Sequence, residues 1–308
     1  MCLVYKRIQN LFLLRGVSIK LFLGAMYITI VRMSWVVLVF ICITACQDTR
    51  TTAQQAIPDH GISIQYIAHA CFIINDGTEK IMIDPYASRV WLGYDFPKNI
   101  KVDAIFITHP HYDHDGGMFR GMRPYWMCSI PFYENPATYE IGEFTVQGLI
   151  GRHSDPYGME FGQMNTIWKI KVHGITLAHW GDNGPMTDKM IRELTDVDIL
   201  FIPMDGDFHI VPKEVYEHLF TIIEPRIIVP MHYRLPDLER DAESPKNLGE
   251  IEPFLKQRPK VVRGDSLSYL PEVVELTSNQ LVLTADGLPD STTYYVFQHD
   301  PSIRRPDK

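Results

Sequence analysis

From residue 62 onward the chain is a succession of short apolar runs separated by turn chemistry. ISIQYI (62–67), CFIIN (71–75) and KIMIDP (80–85) are rich in β-branched residues, and Asn75-Asp76-Gly77 lies between the last two, which predicts an opening antiparallel meander. VDAIFIT (102–108) and EFTVQGLI (143–150) predict two further strands, and TIWKIKV and ITLAHW flank His173-Gly174 as a hairpin. VDILFIP (197–203) and RIIVP (226–230) predict buried strands. Two stretches switch to a helical period: TDKMIREL, with Thr187 as N-cap, and PKEVYEHLFTII, with Pro212 in its first turn. Beyond Asp237 the pattern thins. EIEPFLKQ predicts a helix and VVELTSNQLVL one or two strands, while TADGLPDSTTYY and the ending SIRRPDK read as a peripheral tail. The aromatic run WMCSIPFYENPATY (126–139) reads as lid packing.

A second regularity runs through these elements. An apolar strand ends and an Asp or His stands just beyond it, at Asp84, His109/His111, His153, Asp182 and His232. Side chains on loops at one edge of a rigid sheet scaffold are the usual way to present a site. A solvated turn residue explains any one of them, but not five in the same position.

The densest stretch is THPHYDHDGG (108–117). His109 and His111, at i and i+2, can bind one ion, with His153 as third ligand. Asp113, His114 and His232 then form a second set, and Asp182, with two carboxylate oxygens, can bridge both ions. Nitrogen and carboxylate ligands without thiolate suit two divalent ions, zinc first, with manganese or iron as alternatives. Two such ions lower the pKa of a bridging water toward neutrality, so the implied chemistry is hydrolysis by attack of hydroxide on a carbonyl or phosphoryl centre. Asp113 is the candidate catalytic carboxylate, steering the nucleophile or passing a proton. Ligating imidazoles need acceptors behind them, and Asp84, closing IMID, is the candidate.

Asp84, His109-x-His111-x-Asp113-His114, His153, Asp182 and His232 together, in this order, resemble the five motifs of the metallo-β-lactamase-fold hydrolases. The similarity runs from Ile62 to Tyr233 and implies a mixed α/β (α+β) fold, the four-layer αβ/βα sandwich of that family, with metals at the edge between two sheets. YIAHACFII, IMIDPY, HWGDNGP and EPRIIVPMHY are similar to the branch containing ascorbate-6-phosphate lactonase and uncharacterised Zn-dependent hydrolases, with N-acyl-phosphatidylethanolamine phospholipases more distant. The β-lactamases proper commonly carry Cys where this chain has Asp182. The resemblance implies a phosphodiester, a lactone or another ester as substrate. It also places a His near the site at His69, although a buried core histidine is the competing reading. His179 stands just upstream of Asp182. His209 and Asp207, in MDGDFHI, could border the pocket, and Tyr233 and Arg234, directly after a ligand, could meet an anionic substrate.

The N-terminus changes the picture of where this happens. Residues 1–46 carry five basic and no acidic residues and end in an apolar run of about a dozen residues closing on Ile43-Thr44-Ala45-Cys46. This resembles a bacterial lipoprotein signal with Cys46 as the acylated residue, and implies a lipid-anchored protein of the cell envelope facing the periplasm or exterior. The expected organisation is a signal segment (1–46), a flexible tether (47–60), a hydrolase domain (61–270) and a C-terminal extension (271–308). Loss of residues 1–46 moves the formal charge from −8 to −13, because five basic residues leave and no acidic ones do. An acidic domain is a poor partner for nucleic-acid phosphates, so the expected partner is a small-molecule or lipid-like ester. The rival class is a non-catalytic metal-binding envelope lipoprotein of the same fold. Cys71 and Cys128 have no Cys two or three residues away, which excludes a zinc–thiolate site; a buried free thiol is expected at Cys71.

Overall fold

The computed structural model describes residues 56–303 except 119–120, 122–123, 205–209, 239–247 and 263–267. The meander forms as its turn chemistry requires. Strands β1 (Gly61–Ala68), β2 (Cys71–Asn75) and β3 (Lys80–Ile83) pair antiparallel in sequence. Between β2 and β3, Asn75 Oδ1 accepts from the Gly77 amide and Asp76 Oδ1 from those of Thr78 and Glu79, each at 2.8 Å. These side chains satisfy the amides that the reversal leaves unpaired. Strand β4 (Ala104–Phe106) then joins β3 in parallel, and β5 (Phe132–Tyr133) joins β4.

The second sheet begins as an antiparallel run of β6 (Thr138–Ile141), β7 (Phe144–Arg152), β8 (Met164–Val172) and β9 (Ile175–His179). It continues in parallel through β10 (Ile199–Pro203) and β11 (Ile227–Met231). Both of these strands are buried at every position, as a strand covered on both faces must be. Short helices α1 (Tyr157–Glu160) and α2 (Asp188–Ile191) and the longer α3 (Lys213–Ile223) and α4 (Ile251–Lys256) connect the strands. Phe220 of α3 lies edge-on to Tyr294, and Tyr216 of α3 packs against Phe254 of α4. The two sheets face each other across one core, where Phe72 meets Phe201 with ring centroids 4.6 Å apart and Phe106 meets Trp168 at 5.0 Å. The result is the expected mixed α/β sandwich with two sheets and few helices.

Four details differ from the sequence expectation. The segment from residue 271 is no peripheral extension. Strand β13 (Gln280–Thr284) borders β1, while β14 (Thr293–Val296) sits between β11 and β12 (Glu272–Glu275). VVELTSNQLVL does hold two strands, β12 and β13, but β13 takes its partner from more than two hundred residues away, which no local pattern announces. The aromatic run 126–139 likewise supplies β5 and the start of β6. Residues 187–194 are α-helical only over α2 and continue as a 3₁₀ turn, and Thr187, though at the N-cap position, makes no side-chain cap bond. Pro212 occupies the N-cap of α3. Cys71 is buried and Cys128 exposed, both as free thiols. Among the described residues no helix is long and apolar enough to cross a membrane. Cys46, the signal segment, the tether up to residue 55, Asp207 and His209 lie outside the described residues.

Candidate metal centre

The site is built where β3, β4, β7, β9 and β11 end and the β1–β2 turn reaches over them. Asp84, His69 and His232 all adopt left-handed backbone conformations, with φ of 48°, 58° and 60°. Such conformations cost free energy for residues other than glycine and persist only where surrounding structure holds them. Here the His232 amide donates to the His69 carbonyl at 3.0 Å, which locks two of the three strained residues to each other. The stretch after β4 folds into a tight turn in which the amides of His114 and Asp115 both bond the His111 carbonyl. His109 and His111 therefore share one side through a turn rather than through strand alternation, with ring centroids 4.5 Å apart. Asp182 follows Gly181, whose φ is +60° and where a Cβ would sit 2.4 Å from Asn165 Oδ1 and 2.7 Å from Thr108 Cβ. Only glycine lets the β9 turn lie this close to the β4 turn.

Behind the site, hydrogen bonds decide which ring nitrogen faces inward. Asp84 Oδ2 accepts from His114 Nδ1 at 2.7 Å and from the Thr108 hydroxyl at 2.7 Å, and Asp84 Oδ1 accepts from the Thr108 amide. Since the Thr108 hydroxyl proton goes to Asp84, its oxygen accepts from His109 Nδ1 at 2.9 Å. His153 Nδ1 donates to the Ser154 carbonyl at 3.0 Å. Three imidazoles are thus held with hydrogen on Nδ1 and Nε2 turned inward. Asp84 sets two of them, one directly and one through Thr108.

Those three Nε2 atoms and Asp182 Oδ1 are buried and have no hydrogen-bond partner. Asp182 Oδ2 lies 3.6 Å from His153 Nε2, 3.2 Å from His232 Nε2 and 3.9 Å from His109 Nε2, and Oδ1 lies 3.4 Å from His114 Nε2. Asp113 Oδ2 lies 3.0 Å from His69 Nε2, 3.4 Å from His114 Nε2 and 3.6 Å from His232 Nε2. Buried polar atoms left without partners are costly, and imidazole nitrogens converging on two carboxylates fit cations. The ligand atoms fall into three overlapping groups able to hold an ion: His109, His111 and His153; His69, Asp113, His114 and His232; and His109, His114 and Asp182.

The electrostatics without metal show how the charge is otherwise balanced. Burial raises the carboxyls of Asp113 and Asp182, but the neighbouring imidazoles, His114 foremost, overcome it and hold both well below the usual range. Burial opposes charge on His114 and His232 as well, yet Asp182 and Asp113 raise both, His232 to about 9. His69 goes the other way, to about 4, because burial and His232 together outweigh its bond to Asp113. Burial also lowers His109 and His111. A cation entering this site takes the place of the protons on His114 and His232.

Of the sequence-derived candidates, the structure brings together His109, His111, Asp113, His114, His153, Asp182 and His232, with Asp84 behind them and His69 joining the second group. His179 is not a ligand: its Nε2 donates to the Ala70 carbonyl at 2.8 Å, tying the β1–β2 turn to β9. Tyr233 is not at the surface. It is buried, and burial raises its phenol well above the ordinary value. Arg234 turns to Glu250, 3.8 Å away. Sequence reasoning missed Thr108, Gln163, Asn165 and Tyr157. Gln163 Nε2 donates to His111 Nε2 at 3.1 Å. Asn165 clamps the Asp182 turn, accepting from the Asp182 amide and donating to the Trp180 carbonyl, both at 3.0 Å. Only Thr108, between a strand end and a ligand, carried a positional signal.

This fold and this cluster define a metal-dependent hydrolase. Residues 63–232 match the family described as the Beta-lactamase superfamily domain, and the chain belongs to that family, the metallo-β-lactamase superfamily. It is similar to a UPF0173 metal-dependent hydrolase of Thermococcus kodakarensis, 28% identical over 61% of this chain and 92% of the relative. A UPF0173 metal-dependent hydrolase of Methanosarcina mazei is 30% identical over 58% of this chain and 86% of its own. A crystal structure from Thermotoga maritima, described as a Zn-dependent hydrolase of the metallo-β-lactamase superfamily, shares the fold with a TM-score of 0.52. It is 22% identical and covers 78% of this chain and all of its own.

Proposed function

We propose that the protein holds two divalent ions, zinc first and manganese or iron as alternatives, and hydrolyses an ester-type bond: a phosphodiester, a lactone or another carboxylic ester. The observation that carries this reading is the convergence of the partnerless Nε2 atoms of His109, His114 and His153 on the buried Asp182 carboxylate. His109, His111 and His153 would hold one ion and Asp113, His114 and His232 the other, with Asp182 shared between them. Bound ions would supply water activation at neutral pH and positive charge opposite the attacked centre.

The chain's own residues do the rest. Asp84 keeps the Nε2 atoms of His114 and His109 turned toward the place of the ions. His69 is neutral at pH 7 and donates Nε2–H to Asp113, so that carboxylate stays fixed and ionised, able to orient a nucleophile or accept its proton. His111 is the half-buried member of an otherwise buried set, so substrate approaches from its side. The acidic balance favours a small or lipid-like ester over a nucleic acid. The reading extends to an envelope protein anchored through an acylated Cys46; Cys46→Ala should release it from membranes, and unchanged retention would contradict acylation there.

The test is turnover by the full chain, reconstituted separately with zinc and manganese, on a simple aryl phosphodiester and a simple lactone side by side. Cleavage of either supports the reading. Two bound metals with no turnover across a broad ester panel would replace it with a metal-binding lipoprotein.

A further inference from the structure

The wall beside His111 has a chemistry that the metal ligands do not account for. Between β7 and β8 the chain reads HSDPYGMEFGQ (153–163), and Tyr157 and Phe161 within it, four residues apart on one face of a helical turn, are 44% and 70% exposed. Single exposed apolar residues are ordinary, but a contiguous group next to a site marks a binding surface. The group is continuous with the metal centre. The Tyr157 ring stands edge-on 5.0 Å from His111 and 5.1 Å from His153, and the Phe161 ring lies 6.0 Å further out. On the other side of the ligand cluster, Trp91, 40% exposed, stands 6.0 Å from His69.

The loop is fixed in place rather than loosely draped. The His153 amide donates to the Gln163 carbonyl at 3.1 Å, the Gln163 amide to the Tyr157 carbonyl at 3.0 Å and the Gly158 amide to the Ser154 carbonyl at 3.2 Å. A Cβ at Gly158 would stand 1.8 Å from the His153 carbonyl oxygen, so glycine is what lets the loop fold down onto a ligand. A hydrogen-bonded loop presenting apolar side chains to solvent is a pre-organised surface, which lowers the ordering cost of binding.

We propose that Tyr157 and Phe161 form a subsite for an uncharged hydrocarbon group attached to the scissile bond, so that the substrate class is an ester or lactone carrying an alkyl or acyl chain. This rests on the site being a hydrolytic metal centre, and it names the group that emerges on the open side. Charge selects this occupant. Within 154–164 the charged residues are Asp155 and Glu160, both exposed and acidic, and with the exposed Arg152 packed against Gly158 the loop still carries net negative charge, which repels a phosphate-rich headgroup or an anionic membrane surface.

The test uses the zinc-loaded full chain and n-alkyl hydroxamates of two to eight carbons, with Kd measured by calorimetry, alongside turnover of carboxylic esters of the same chain lengths. Burial of each methylene should lower Kd roughly two- to four-fold. Phe161→Ser should flatten that dependence, and Tyr125→Ser, on an exposed residue of a separate turn, should leave it as in the wild type. A Kd independent of chain length, absent binding at every length, or a slope untouched in Phe161→Ser would overturn the subsite. Loss of partitioning into phosphatidylcholine vesicles in Phe161→Ser, with the hydroxamate slope intact, would make the surface a membrane contact and likewise overturn it. Chain-length-dependent hydroxamate binding without turnover of any ester would instead defeat the ester-hydrolase reading and leave the subsite standing.

Discussion

Asp84 is not assigned to an ion, yet replacing it should disable one. Its carboxylate, fully buried, accepts from His114 Nδ1, the Thr108 hydroxyl and the Thr108 amide. In Asp84→Asn one oxygen remains, which can keep the Thr108 amide bond, and an NH₂ group takes the place of the other. That NH₂ faces the His114 Nδ1 hydrogen and the Thr108 hydroxyl hydrogen. The simplest relief is for His114 to accept at Nδ1 and carry its hydrogen on Nε2, the atom that should face an ion. Outer partners of ligating imidazoles are typically worth 10–100-fold in metal affinity, or about 1.4–2.7 kcal/mol. The lost charge-assisted bond should cost the metal-free fold roughly 1.5–3 kcal/mol as well. The assay is zinc competition against a chelator of known affinity, with metal-free thermal melting measured in parallel to separate the two effects. Thr108→Val, which breaks only the relay to His109, should show a smaller loss of affinity. Two ions bound by Asp84→Asn with wild-type affinity would refute the reasoning.

Other consequences follow from the same geometry. Asp113→Ala should lower turnover by several orders of magnitude while the His109, His111 and His153 set still holds an ion; near-normal activity in that variant would defeat the assigned role. Gly181→Ala forces a Cβ against Asn165 and Thr108 at positive φ, so thermal melting should register a loss of roughly 1–3 kcal/mol together with weaker metal binding. Because His232 is raised to about 9 and His114 is also raised, zinc loading at pH 7 should release protons. Calorimetry in buffers of different ionisation enthalpy would detect them, and apparent affinity should climb with pH toward 9; a pH-independent affinity would contradict this. For the metal-free fold, the His232 contribution is present in full below about pH 6.5 and lost as pH rises through about 9. His69, lowered to about 4, disfavours the native state progressively as pH falls from 6.5 toward 4, so metal-free melting temperatures should drop on both sides of an optimum near pH 6.5.

Much of this site is legible in the sequence alone, because strand ends and metal ligands leave local marks. The turn THPHYDHDGG announces itself, and a lone Asp or His after an apolar run is visible at Asp84, His153, Asp182 and His232. Anything set by contact between distant segments leaves no such mark. Asn165 and Gln163 look like ordinary polar residues at a strand start, and only the fold shows them holding Asp182 and His111. Tyr233 reads as accessible because it follows a ligand, but the chain turns it into the core. VVELTSNQLVL reads as strand, but the pairing of β13 with β1 does not show in it, and β14 reads as tail because its partner β11 lies far away in sequence. Tyr157 goes unnoticed because an aromatic in a short loop carries no periodic signal; its role comes from standing over His111.

The two-ion centre is tested most directly by metal stoichiometry at saturation, measured on the purified full chain by equilibrium dialysis against zinc with elemental analysis. Two ions per chain are expected, falling to one when Asp113 and His232 are both replaced by alanine and to a different single site when His111 and His153 are. A wild-type chain that saturates at one ion, or binds none, would contradict the two-ion centre on which the proposed hydrolysis depends.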